Sequence, residues 1–221
     1  MKKLLIISLF FIQYSISFSQ VQEVKSDYMW GKMENGEKVG IWQYYDEPGE
    51  LSLMINYTTG KLRYIKRDTS KYLVKEGDAW IEANVNTPPH FIGSEREVIE
   101  YISENIGFPV EARMRGLEGI TIISATIDDT GNFGDFEVIK KLEGGYTDEV
   151  LNALSALPNT WIQATNSSGG VPSKLIFAVI FGVGKEYKIK KRDKKKYSIL
   201  EQDKPYIIHL AVTALGKVRP H

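Results

Sequence analysis

The chain has 221 residues, 43% hydrophobic and 25% charged, which suits one or two globular domains and excludes a fibrous or low-complexity protein. With no cysteine, it has neither disulfides nor thiolate ligands nor a cysteine nucleophile, so packing must stabilise it. The formal charge is +0, but residues 21–184 carry 15 Lys or Arg against 24 Asp or Glu, whereas residues 185–221 carry 11 against 4. An acidic body with a basic tail argues against nucleic acid as a partner.

Residues 1–20 read as a secretory signal. Lys2 and Lys3 make a positive start, residues 4–12 are nearly all apolar, and a more polar stretch ends in Ser17, Phe18, Ser19 and Gln20, where a signal peptidase would cut. A transmembrane helix needs roughly 20 apolar residues, and Gln13 already interrupts this run. The expected location is therefore the periplasm, with retention of the segment as an anchor left open.

Residues 21–86 form the first expected region. Asn35-Gly36 predicts a hairpin turn, and Pro48-Gly49 and Thr59-Gly60 predict further reversals between strands at 40–45, 51–57 and 61–66. The run from Asn35 to Tyr45, followed by Gly49, Tyr57 and Gly60, resembles the β-hairpin repeats of MORN-like and YwqK-type proteins. In such repeats the aromatic positions, here Trp42, Tyr44 and Tyr45, stack hairpin on hairpin. Residues 69–86 read as irregular, and Thr87-Pro88-Pro89 marks a domain boundary.

Beyond the boundary, Ser94 with Glu97 forms a capping-box pattern, and Val98, Tyr101, Ile102 and Ile106 share one helix face. Pro109 starts a short helical turn that Gly116 ends. Residues 119–128 and 133–141 read as a hairpin turned at Asp129-Thr130-Gly131, with Gly134 marking a bulge. Thr147 is placed to cap a helix carrying Val150, Leu151, Leu154 and Leu157, and residues 173–181 read as a nearly continuous apolar strand. The expected fold class is α+β: a small antiparallel β-sheet packed against two main helices, after an N-terminal β-hairpin region.

The second region resembles the C-terminal domain of TonB over residues 87–184. The resemblance rests on Phe91 and Gly93; on Phe108-Pro109 with Ala112, Gly116 and Gly119; on residues 120–128 and Gly131; and on Trp161, Ala164 and Gly170-Val171-Pro172. Gln163 departs from the family's proline. The resemblance implies strand addition, in which the last strand receives a segment of an outer-membrane transporter or another envelope protein. Lys174, Ile176, Ala178 and Ile180 are the partner-binding candidates on that strand. The energy-transducing TonB proteins carry a membrane helix and a long proline-rich spacer. This chain has 8 prolines and no such spacer, so the expectation is a TonB-like component of transport rather than a full transducer.

No catalytic constellation, phosphate-cradling loop or metal-ligand spacing stands out, so an enzyme, a cofactor and a metal are not expected. His90, His209 and His221 are scattered. In the tail, 185–221, Lys188, Lys190, Lys191, Arg192, Lys194, Lys195 and Lys196 could meet anionic lipid or an acidic partner, and residues 206–215 are apolar enough to form a strand or dock on the body. An alternative function remains open: a periplasmic adaptor that binds partners through the aromatic hairpins and has no transport role.

Overall fold

The structure is a computed structural model, and it describes residues 21–67, 69–182, 204–213 and, by main chain alone, 219–220. The expected signal at 1–20 and the cluster from Lys188 to Lys196 lie outside the described residues.

Five strands, β1 (Val21–Lys25), β2 (Met29–Glu34), β3 (Glu37–Glu47), β4 (Glu50–Asn56) and β5 (Lys61–Ile65), form an antiparallel meander in sequence order. Turn chemistry sets its register. Asn35 and Gly36 sit at φ 53° and 84°, as the two-residue turn between β2 and β3 requires, and Gly49, at φ 85°, follows Pro48 in the next turn. Alternation along β3 and β4 places Trp42, Tyr44, Leu53 and Ile55 in one buried cluster. Gly31 makes room for it: a Cβ there would stand 2.2 Å from the Trp42 indole. Lys38 completes the cluster, with its ammonium 4.7 Å from the Trp42 ring centre and 2.8 Å from the Tyr44 hydroxyl. Trp42 and Tyr44 are therefore core side chains, and Ile92 and Ile162 of the second region pack against the same cluster.

The second region contains β6 (Tyr72–Glu76), β7 (Ala79–Ala83), β8 (His90–Phe91), α1 (Glu95–Asn105), α2 (Val110–Met114), β9 (Gly119–Ile127), β10 (Phe133–Lys140) and α3 (Tyr146–Ser155). It continues with β11 (Trp161–Ile162), β12 (Ala164–Asn166), β13 (Gly169–Val171), β14 (Ser173–Gly182), β15 (Ile207–Thr213) and β16 (Arg219–Pro220).

The expected fold class is corrected here. Of the described residues 52% are strand and 15% helix, and the helices are three short ones. The larger sheet has seven strands, in the order β10-β9-β14-β15-β16, with β6 also on β14 and β7 on β6. The hairpin β6–β7, the strand β15 and the two-residue β16 made it larger than expected. The stretch read as irregular forms the hairpin β6–β7, which lies before residue 87 yet joins this sheet through Ser173 and Lys174. Strand β15 pairs with β14 in parallel from Ile176 to Gly182, a non-local pairing that no local pattern announces.

On one face of the sheet Ile123, Phe177, Val179 and Leu210 meet Val98 and Ile102 of α1 and Val150 and Leu154 of α3, all in one buried cluster. Helix α1 has the capping box: Ser94 Oγ accepts from the Glu97 N–H at 3.2 Å, and Glu97 Oε2 accepts from the Ser94 N–H at 2.7 Å. Thr147 is not the cap of α3. Gly145, at φ 86°, takes that position, and the Thr147 hydroxyl instead joins the 142 main chain and Thr121. Among the described residues no helix is long and apolar enough to cross a membrane.

The hairpin β9–β10 turns on Asp128, whose carboxylate accepts from the Thr130 main-chain and hydroxyl groups and from both nitrogens of Asn132 at 2.7–2.9 Å. The hydroxyl and amide donors of Thr130 and Asn132 stabilise the charged form and hold its pKa well below the ordinary 3.8. A depressed carboxyl pKa adds stability that is full above the ordinary value and fades as pH falls through the folded one. Asp128→Asn is expected to melt lower than the parent at pH 7, and the gap should close as pH drops below about 3.8, followed by circular dichroism.

Candidate functional site

The four partner-binding candidates all lie on β14, but that strand has no free rim. One side pairs with β9 from Ser173 to Phe181; the other pairs with β6 at Ser173 and Lys174 and with β15 from Ile176 to Gly182. The Ile176 N–H donates to the Tyr206 carbonyl at 2.7 Å, so alternation points the main-chain groups of 176, 178, 180 and 182 at β15. The side chains are also committed. Ala178 and Ile180 are buried, Ile176 packs beside them, and Lys174 pairs with Glu137 at 2.9 Å beneath the Trp80 ring. The expectation of an open edge at Lys174, Ile176, Ala178 and Ile180 is therefore corrected: the chain supplies its own strand there.

Three other rims of this sheet have no strand beside them among the described residues, and that of β16 is only two residues long and contains Pro220. The outer rim of β10 exposes Val138 and Ile139, but register shifts between Gly134 and Glu137 and between Val138 and Lys140 bend it, a form that discourages further pairing. The rim of β7 is regular. Gly77, at φ 60°, begins a two-residue turn, so Glu76 and Ala79 exchange both bonds; the next such pairs are Val74 with Ile81 and Tyr72 with Ala83. The Lys75 N–H donates to the Pro172 carbonyl at 2.9 Å, away from β7, as that alternation requires. The amides and carbonyls of Trp80 and Glu82 consequently point outward. The Glu82 carboxylate fixes the strand by accepting from Tyr206 and pairing with Lys204.

Between the hairpin sheet and the second region lies a cleft of about 560 Å³. Asp46 and Glu47 at the end of β3 and Glu95 at the start of α1 supply carboxylates, while Val98, Ile99, Trp161 and Ile208 form apolar wall. Trp161 is held by stacking on Phe133 at 4.8 Å and by the edge of Phe91 at 5.3 Å. Among the described residues its buried indole N–H has no acceptor and the buried Asp46 Oδ1 has no donor. Leaving such a group unpaired costs about 1–3 kcal/mol. Glu95 keeps solvent contact at the cleft mouth, yet burial of its carboxyl, and then the charge of Asp46, raise its pKa above 4.5.

No sequence pattern pointed to this cleft. Asp46 and Glu95 are far apart in sequence, and only the packing of the hairpin sheet on the second region brings them to one cleft. His90 and His209 also line it, but among the described residues no group of three His, Cys, Asp or Glu could hold a metal.

Neither a protein-family model nor a curated protein matches the sequence. Among solved structures, the chain is similar to the C-terminal domain of Helicobacter pylori TonB, determined in solution by NMR. The identity is 19%, the match covers 41% of this chain and 81% of that one, and the TM-score is 0.30.

Proposed function

We propose that this chain is an exported protein of the bacterial envelope, without catalytic activity of its own, that binds an extended segment of a partner protein by strand addition along β7. The observation that carries this reading is the regular outer rim of β7, where Trp80 and Glu82 present main-chain groups that are unpaired among the described residues, beside the exposed Ile81. The sequence resemblance of residues 87–184 to the TonB C-terminal domain gives the partner class, a segment of an outer-membrane transporter, and links the chain to TonB-dependent transport. Export to the periplasm follows from the signal-like residues 1–20.

The aromatic hairpins are a weaker choice of binding surface, because Trp42 and Tyr44 are 1% and 0% exposed. The test separates main chain from side chain. Trp80→Thr keeps the outward N–H and suits a strand, whereas Trp80→Pro removes the donor at an edge that tolerates proline. Titrating ¹⁵N-labelled protein with extended transporter segments should shift the amides of 79–83. Trp80→Thr should keep the affinity, and Trp80→Pro should weaken it by about tenfold, the effect of one main-chain bond. Equal weakening in both variants, or no shift at these amides, overturns the reading.

A further inference from the structure

The cleft beside α1 has a chemical bias that strand addition does not use. Two buried polar atoms of opposite kind, the Trp161 indole N–H and Asp46 Oδ1, lack partners among the described residues and belong to side chains of residues that line the same cleft. One asks for an acceptor and the other for a donor. The cations at the cleft margin are engaged elsewhere: Lys66 pairs with Glu50 at 2.5 Å and Lys204 with Glu82 at 3.2 Å. Lys66 and Lys204 line the cleft as well, yet among the described residues no salt bridge joins either of them to Asp46 or Glu95. Val98, Ile99 and Ile208 add apolar surface alongside.

We propose that the cleft binds a polypeptide segment through a lysine or arginine side chain, its cation between Asp46 and Glu95 and a main-chain carbonyl of the segment on the Trp161 indole N–H. A basic side chain fits the whole arrangement, because its aliphatic stem covers apolar wall while its head reaches the carboxylates. An anionic ligand would face the carboxylates unpaired. A bare metal ion would leave the indole unsatisfied. The volume of about 560 Å³ falls within the range of sites that enclose a short segment or a drug-sized molecule. Burial of the Glu95 carboxyl first, and then the charge of Asp46, raise its proton affinity. This site does not depend on the β7 rim, and either can fail without the other.

The test uses the full chain and a blocked peptide, acetyl-Ala-Leu-Lys-Leu-Ala-amide, with a glutamine analogue and n-butylammonium as comparisons. The readouts are calorimetric affinity and the indole N–H resonance that Trp161→Phe removes. The lysine peptide should move that resonance and bind at least about tenfold tighter than the glutamine peptide, the factor of one charged contact of about 1.4 kcal/mol. Asp46→Asn and Glu95→Gln, both close in shape to the parent, should each erase that preference. Equal binding of the two peptides, an unmoved indole resonance, or butylammonium binding as tightly as the peptide each overturns the proposal.

Discussion

Phe177→Ala is expected to lower the unfolding free energy by about 3–5 kcal/mol, the range for removing a fully buried aromatic side chain. Phe177 is 0% exposed and stands in β14 between β9 and β15, with Phe133 edge-on at 6.1 Å. The cavity has little scope to collapse, because Ile123 and Ile208 are fixed beside it by ladder bonds on both sides and Phe133 is stacked on Trp161. Total stabilities of about 5–15 kcal/mol make this a large fraction. Chemical denaturation followed by circular dichroism would measure it. A loss below about 1 kcal/mol would mean that β14 is not the centre of the core.

Much of the local structure was legible because local chemistry decides it. Asn35-Gly36 can hardly be anything but a tight turn, the Ser94–Glu97 pair reads directly as a helix start, and the β-branched run from Ile120 to Ile127 has only one comfortable conformation. Other parts were hidden for physical reasons. Strand β6 is Tyr-Leu-Val-Lys-Glu and β7 is Ala-Trp-Ile-Glu-Ala, too short and mixed to show alternation, and their hairpin gains its place by adding to β14. The parallel docking of β15 joins residues on either side of a long connection, and no window of sequence registers that. The apolar stretch 206–215 was legible as a strand that could cover the rim of β14, but nothing local fixed its pairing, and the binding candidates fell on that rim. The cleft was invisible for the same kind of reason: Asp46, Glu95 and Trp161 become neighbours only when the hairpin sheet packs on the second region. The apolar runs specified which strands must be buried, and long-range pairing decided which rims were left for a partner.

Leu210→Asp is expected to undock β15 from the sheet while leaving the remainder folded. Leu210 is 0% exposed, level with Val179 and inside the cluster shared with α1 and α3. Removing a buried leucine costs about 2–5 kcal/mol. A carboxylate in its place adds about 1–3 kcal/mol or more, because nothing there is placed to pair with it. Undocking offers a less costly route, since only the two-residue β16 lies beyond β15, and β14 is held without it by β9 and, at Ser173 and Lys174, by β6. Alternation then makes a specific forecast for hydrogen exchange. Amides 176, 178, 180 and 182, which point at β15, should lose protection by orders of magnitude, whereas 175, 177, 179 and 181, which point at β9, should keep theirs. Uniform loss along β14 would mean that the sheet unfolds as one unit. Uniform retention would mean that β15 tolerates the charge in place, and that the strand closing this rim is bound more tightly than its position at the side of the sheet implies.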